Sequence, residues 1–334
     1  MLRPAYRLTI GGRTVDTTDE PRASTLVALS VSLGVDAPAD AAVLVLGQVG
    51  GLRPREGDEA TVELGYADSS AGLAKVLTGT VASVEGGLPT ARVTLEGALG
   101  PLLRTFVEET YESKTAGEIA RDLAGKAGVS VADAEDGPRF PAYVVDGRRS
   151  ALRHLRDLAA LAGFDAWADE RGRLVFKRFR NGERVHVLRR GRDLIALDVR
   201  RGEPAAGSVE AYGESPTGAQ GAESWGWLTA DAAATRAVAG SGARRLLERP
   251  VLRTADAART AARAALAELT RRAVRGEAVL AGRPTLRPGD AVRLEETGDV
   301  GADGAFQVRR VTHRITKAAG FTTTVGFRPA EAGA

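Results

Sequence analysis

The 334-residue chain has no cysteine, which excludes disulfide bonds, thiolate zinc sites, iron–sulfur clusters and cysteine nucleophiles. It has only three histidines, His154, His186 and His313, and these lie far apart in the sequence. None of them has the i, i+4 spacing of a helical zinc site, so a histidine metal centre is not expected. The sequence therefore predicts a protein without a metal ion or other cofactor.

Charge of one sign and long apolar runs are also scarce. The 46 basic and 43 acidic residues leave a net charge of +3, an excess too small to indicate nucleic acid as a partner. The amino terminus passes directly into an alternating strand pattern, without the apolar core and cleavage site of a signal peptide. No stretch predicts a membrane span. We therefore expect a protein that stays in the cytoplasm, at least until it is assembled.

One motif occurs twice, near the two ends of the chain. Residues 52–64 (LRPREGDEATVEL) are echoed by residues 286–294 (LRPGDAVRL), and the aspartates Asp58 and Asp290 lie 232 positions apart. Each copy is followed by two further strand patterns. A Gly-Asp turn before a strand is common in small barrels, but here the similarity extends over three consecutive strands. A duplicated β-module indicates an architectural protein that presents several similar faces.

The central part of the chain changes to helical patterns. Residues 115–118 (TAGE) fit a capping box before an amphipathic helix, and Gly128 is well placed to end that helix. Ser150 begins a second helical stripe that ends at Gly163. Residues 164–176 then alternate around a turn and predict a β-hairpin. Together these patterns predict a small α+β insertion.

We expect a mainly β fold with three domains. Two similar tube-like β-barrels, at 1–104 and 181–330, are held apart by the α+β insertion at 105–180. The second barrel also contains a low-complexity stretch over 213–242, interpreted as a long loop, and a helix over 254–272 whose inner face is rich in alanine. Small residues on that face predict close packing against another element.

The densest basic stretch of the sequence runs through the predicted hairpin and beyond it. Its candidate interface residues are Arg178, Arg180, Arg189 and Arg190. Phenylalanines interleave with these charges, an arrangement that a nucleic-acid groove would use. We favour a protein partner instead, because guanidinium groups bury and pair well at protein interfaces.

Two further candidates, Trp225 and Trp227, lie in the predicted loop. Exposed tryptophans are unusual, so we expect them to pack against the parent domain or a neighbouring subunit, with a mobile tip as the alternative. No nucleophile elbow, phosphate-binding loop or acid pair stands out. The sequence therefore predicts no enzymatic activity.

The order of several segments is similar to one known family. Behind the first barrel come 115–124 (TAGEIARDLA), 151–159 (ALRHLRDLA) and 172–176 (GRLVF), and behind the alanine-rich helix come 282–290 (GRPTLRPGD) and 304–308 (GAFQV). In this order they resemble the phage late control protein D family, which includes tail baseplate hubs and is related to the hub portion of VgrG. The resemblance covers nearly the whole chain.

The resemblance implies a homotrimeric baseplate hub in a phage tail or a phage-like contractile injection system. Two barrels in each of three chains would form a pseudo-sixfold ring that matches the tail tube, while the trimer matches the threefold spike. The implied partners are the tail tube protein, the spike protein and other baseplate proteins. The chain ends at Ala334 without the OB-fold and β-helix that follow the hub in VgrG, so a separate spike polypeptide is expected.

Two other functions stay open from the residues alone. A tail-associated cell-wall hydrolase would need a catalytic group that the sequence does not reveal. A carbohydrate-binding or nucleic-acid-binding module would use the arginine-rich hairpin and the paired tryptophans, and its DNA affinity would depend steeply on salt.

Overall fold

A computed structural model describes residues 2–19, 25–37, 39–47, 52–180, 182, 184–213, 236–298 and 302–330. Within these ranges the chain forms 21 strands and four helices. The expectation of a mainly β protein with few helices is confirmed.

The first part of the chain forms seven strands, which we call the first β unit. They are β1 (Pro4–Ile10), β2 (Arg13–Asp16), β3 (Leu26–Gly34), β4 (Ala41–Gly47), β5 (Glu59–Tyr66), β6 (Leu73–Gly86) and β7 (Thr90–Gly97). In β5, Val62 and Leu64 are fully buried and alternate with more exposed residues. Such alternation places one face of the strand against a core.

The next part of the chain forms the central unit, in which helices and short strands alternate. Its elements are α1 (Pro101–Arg104), β8 (Glu109–Thr115), α2 (Ala116–Lys126), β9 (Val131–Ala134), β10 (Arg139–Val145), α3 (Ala151–Ala162), β11 (Asp165–Ala168) and β12 (Leu174–Lys177). β11 and β12 pair antiparallel, with Ala166 opposite Phe176. The predicted hairpin is therefore confirmed.

Capping residues determine where α2 begins and where α3 ends. Thr115 Oγ1 accepts a hydrogen bond from the Glu118 backbone N–H (3.2 Å), and Glu118 Oε2 accepts one from the Thr115 N–H (2.8 Å). This reciprocal pair satisfies two free amides at the start of α2. Gly163 ends α3 in the left-handed conformation that glycine adopts without strain. Both predicted helices are confirmed.

The remaining elements complete the chain. They are β13 (Val185–Arg189), β14 (Leu194–Arg201), β15 (Ser208–Tyr212), β16 (Arg236–Gly240), β17 (Arg244–Glu248), α4 (Ala255–Arg272), β18 (Val274–Ala281), β19 (Ala291–Glu295), β20 (Gly304–Thr316) and β21 (Gly320–Pro329). We call β13, β14 and β18 to β21 the second β unit. The strands β15, β16 and β17 form a separate small sheet.

The two β units form one continuous 13-stranded sheet. Its main path runs β2-β1-β5-β6-β7-β4-β3-β20-β21-β18-β14, and β19 and β13 branch from β20. The units meet where residues 310–316 of β20 pair antiparallel with residues 28–34 of β3. The sequence predicted two barrels held apart by the insertion, and the structure instead joins them directly, because the exposed edges of β3 and β20 satisfy each other's backbone groups.

The core of the central unit extends beyond the range 105–180. Leu123 of α2 and Leu158 of α3 share one buried cluster with Val209 of β15 and Ala261 of α4. The alanine-rich face of α4 packs against α3 and β15, as its small residues predict. The expected domain ranges stay a prediction, but part of the range 181–330 contributes to the core of the central unit.

The predicted loop over 213–242 is partly wrong. Residues 236–240 form β16, which pairs antiparallel with β15, while β17 pairs with the other edge of β15 in parallel. The strand is short and rich in alanine and glycine, so its sequence carries a weak β signal that pairing with β15 overrides. Trp225 and Trp227 lie outside the described residues.

Candidate protein interface

The first copy of the repeated motif is a tight turn that leads into β5. The Asp58 carboxylate accepts a hydrogen bond from the Arg55 N–H (2.8 Å), and the Asp58 N–H donates to the Arg55 carbonyl (3.1 Å). Gly57 has a φ of +87°, a left-handed value that favours glycine. Its N–H donates to the Val81 carbonyl (2.9 Å), and the Val81 N–H donates to the Asp58 carbonyl (2.8 Å). The turn therefore fastens β5 to β6.

The second copy repeats this turn bond for bond. The Asp290 carboxylate accepts from the Arg287 N–H (3.0 Å), and the Asp290 N–H donates to the Arg287 carbonyl (3.2 Å). Gly289 has the same φ of +87°. Its N–H donates to the Val308 carbonyl (3.1 Å), and the Val308 N–H donates to the Asp290 carbonyl (2.8 Å). The repeat in the sequence is thus a repeat in three dimensions.

The strands around the two turns follow the same order. The first unit runs β1-β5-β6-β7-β4-β3, and the second runs β13-β19-β20-β21-β18-β14. Every neighbouring pair is antiparallel in both units except at one end, where β1 is antiparallel to β5 but β13 is parallel to β19. Six strands therefore correspond in position, and five also correspond in direction.

The two units also share β-bulges at matching positions. One extra residue interrupts the pairing of β6 with β7 at Ala82, and one interrupts the pairing of β20 with β21 at Arg309. A second pair of bulges lies at Val27 between β3 and β4 and at Ile195 between β14 and β18. Bulges fix a strand's register and twist, so their recurrence aligns the two units residue by residue.

The two units also differ in the side chain at the first bulge. Arg309, the counterpart of Ala82, is buried, and its guanidinium donates to Asp165 Oδ1 and to Asp36 Oδ1, both at 2.6 Å. Gln307 Nε2 also donates to Asp165 (2.7 Å). Burial alone lowers the pKa of Arg309, but the charges of Asp165 and Asp36 outweigh it and raise the pKa above its usual value. The guanidinium therefore stays charged inside the protein.

This ion-pair network connects all three units. Asp36 follows β3, Asp165 begins β11, and Arg309 lies in β20. Arg328 of β21 extends the network, because it donates to Asp36 (3.1 Å) and to Glu268 of α4 (2.8 Å). The network fixes the position of the central unit against the junction between the two β units.

Sequence reasoning missed the network. Arg309 lies 144 residues from Asp165 and 273 from Asp36, so no local spacing connects them. The only local signal is the pair Arg309-Arg310 within an alternating strand, where one arginine must point towards the core side.

Two of the predicted interface arginines lie just after β12. Arg178 and Arg180 are exposed, and Arg180 donates to Glu135 Oε2 at 3.2 Å. Between these arginines and β13, Gly182 lies close to the backbone of Ala291 at the start of β19.

The other two predicted arginines lie at the far end of β13. Arg189 Nε donates to Glu295 Oε2 (2.9 Å), and Arg190 Nη1 donates to the Thr297 carbonyl (3.1 Å). β13 begins five residues after Arg180 and ends at Arg189, and its five residues span about 16 Å at 3.3 Å per residue. The structure therefore does not bring the four arginines into one patch, and the interface role of each stays a prediction.

The described residues show neither a metal-binding cluster nor a membrane-spanning helix. No group of three or more histidine, aspartate or glutamate side chains there could hold a metal ion. None of the helices in those ranges combines the length and the apolar character that crossing a membrane requires.

Comparison with known families identifies the class of protein to which this duplicated sheet belongs. The model of the phage tail baseplate hub (GPD) family matches residues 51–319, which is most of the chain. The chain belongs to this family. A comparison with curated proteins gives no match.

Solved structures share the fold over nearly the whole chain. A tail protein from Neisseria meningitidis MC58 is 15% identical, with a TM-score of 0.74, and the alignment covers 98% of this chain and 97% of that one. The 43 kDa tail protein of prophage MuSo2 from Shewanella oneidensis is 14% identical, with a TM-score of 0.71 and coverage of 97% and 98%.

A secretion-system protein is similar as well. An Escherichia coli component of the type VI secretion system is 12% identical, with a TM-score of 0.61, and the alignment covers 97% of this chain and 77% of that one. At these identities the likeness concerns the fold alone.

Proposed function

We propose that this chain is an architectural hub that adapts sixfold to threefold symmetry. Three copies would present six β units to a sixfold tail tube, while the trimer itself would match a threefold spike. The observation that carries the proposal is the bond-for-bond repetition of the Gly-Asp turn within two units of the same strand order. Two equivalent units in one chain are what a symmetry adaptor needs, because they halve the number of chains in a ring.

The differences between the units support the same role. A threefold partner must distinguish the two units of each chain, and Arg309 replaces Ala82 at the matching bulge. Arg309 of the second β unit forms an ion pair with Asp165 of the central unit. Ala82 cannot form such a pair, so the two β units differ in their contacts with the central unit. The ranges 1–104, 105–180 and 181–330 would then serve as first ring unit, insertion and second ring unit.

The similar proteins indicate the kind of assembly that would contain the hub. Two are tail proteins and one is a component of a type VI secretion system, so the hub belongs in a phage tail or a phage-like injection machine. Its partners would be the tube, spike and other baseplate proteins, after assembly in the cytoplasm. The role is structural rather than catalytic, and a zymogram against peptidoglycan is expected to be blank.

The copy number of the hub tests the proposal. Native mass measurement of the full chain in complex with its spike protein should give three copies of the hub. Six copies, or one copy in the assembled complex, would refute the symmetry adaptor.

A further inference from the structure

The two β units have a second pair of strand edges that corresponds to β3 and β20 but is not joined within the chain. Within the chain, β3 of the first unit pairs with residues 310–316 of β20 in the second. By the matched strand order, β14 corresponds to β3 and β6 corresponds to β20. In the described part of the chain, residues 196–200 of β14 form strand pairs only with β18, and residues 83–86 of β6 only with β7; Leu194, at the start of β14, also bridges to Arg190. These two strand edges are therefore available to another molecule.

The matched bulges predict the register of that second junction. Arg309 corresponds to Ala82, so Thr312, three residues later, corresponds to Glu85. Ile195 corresponds to Val27, so Arg200 corresponds to Ser32. Since Thr312 lies opposite Ser32 within the chain, the transferred register places Glu85 opposite Arg200.

The charges at these positions are complementary. Arg200 lies opposite Arg275 on β18, and its side chain, which is 83% exposed, donates to Asp198 Oδ2 (3.2 Å) two residues earlier on the same strand. Glu85 is exposed and lies opposite Arg92 on β7. Opposite charges on facing strand positions stabilise pairing, whereas like charges destabilise it. An acidic residue on a facing strand would give Arg200 a second acidic partner, on the side away from Arg275.

The corresponding row at the junction within the chain carries no charge. There Thr312 lies between Thr324 of β21 and Ser32 of β3. In this row, charges occur only at the edges that the chain leaves open, where their signs favour β6 with β14 over β14 with a second β14.

We propose that β6 of one chain pairs antiparallel with β14 of a second copy of this chain, with Glu85 opposite Arg200. The proposal rests on the proposed hub function and names the surface through which the copies join. The contact is head-to-tail, and such contacts close into a ring when the rotation permits. Every junction in the ring, within or between chains, would then use the same pair of strand edges.

Cysteine cross-linking in assembled particles tests this register. Because the chain has no cysteine, full-length Glu85→Cys/Arg200→Cys introduces the only thiols. Directly opposite residues lie within disulfide reach, whereas residues two positions off register lie about 7–8 Å apart, beyond it. Oxidised particles should therefore give a linked trimer on a non-reducing gel, and the matched variant Glu85→Cys/Asp198→Cys should give little.

The outcomes separate the junction from the hub function. Particles that contain three copies but form no 85–200 link, or equal links in both variants, would overturn the junction and leave the hub function standing. Particles that do not contain three copies would overturn the hub function itself.

A charge exchange provides a second measurement if the cysteines impair assembly. Glu85→Arg and Arg200→Glu should each reduce the yield of assembled hub severalfold, and the double exchange should recover it. A double variant that assembles no better than the single variants would overturn the charge pair.

Discussion

Removal of the buried guanidinium should destabilise the protein more than any other single arginine truncation at the junction. Arg309→Ala gives the second bulge the residue that the first unit has at Ala82. It leaves the Asp165 carboxylate, which is only 10% exposed, with Gln307 as its remaining side-chain donor among the described residues. Loss of one partner from a buried ion pair costs about 3–5 kcal/mol, because the other charge stays buried and uncompensated.

The neighbouring residue offers a matched control. Arg310 pairs with Glu277, and both side chains are about half exposed, so Arg310→Ala should cost only about 0.2–1 kcal/mol. Urea unfolding followed by circular dichroism gives the two values side by side. In Arg309→Ala/Asp165→Asn the loss should be smaller than the sum of the single losses, since the two groups interact. An Arg309→Ala loss no larger than that of Arg310→Ala would refute the role of the network.

Three further predictions concern the junction, the central unit and the twin turns. Burial, with the charge of Arg287 nearby, lowers the pKa of His313 to about 3. The unfolded chain therefore takes up this proton first, and His313 contributes a fall in the free energy of unfolding of about 1.4 kcal/mol per pH unit from about pH 6.5 towards 3; the free energy of unfolding of the wild type relative to that of His313→Gln should fall by this amount in matched urea titrations. Thr115→Ala should cost about 1 kcal/mol in the same assay through loss of the capping box, and an unchanged midpoint would contradict this. Asp290→Ala should cost about 1–3 kcal/mol and more than Asp58→Ala, because Asp290 is buried and its carboxylate lies 3.1 Å from His186 Nε2; equal losses would contradict the difference.

Local patterns explain what could be predicted from the sequence. The capping box at Thr115 and the glycine at 163 act within one helical turn, so residues a few positions apart determine both helix ends. The repeated turn was visible for the same reason. Its hydrogen bonds between Arg55 and Asp58 span three residues, and its glycine is required by a left-handed φ.

Long-range contacts explain what could not be predicted. The pairing of β3 with β20 joins strands nearly 280 residues apart, and no alternation pattern names the partner of a strand edge. The small sheet of β15, β16 and β17 was not predicted from the sequence, for a related reason. Its middle strand supplies the pairing that the weak β16 sequence cannot predict alone.

The candidate interface could be predicted only in part from the sequence. The basic run of the sequence supplied four candidate arginines, but in the structure Arg180 precedes β13 and Arg189 is the last residue of that strand. The Glu85 and Arg200 edges have no sequence signal of their own. They emerge only when the two units are aligned through their bulges.

A reconstruction of the assembled particle is the most direct test of the symmetry adaptor. It should contain three copies of this chain, with their six β units arranged around one axis in a pseudo-sixfold ring. Six copies, or three copies with only one β unit of each in the ring, would contradict the account.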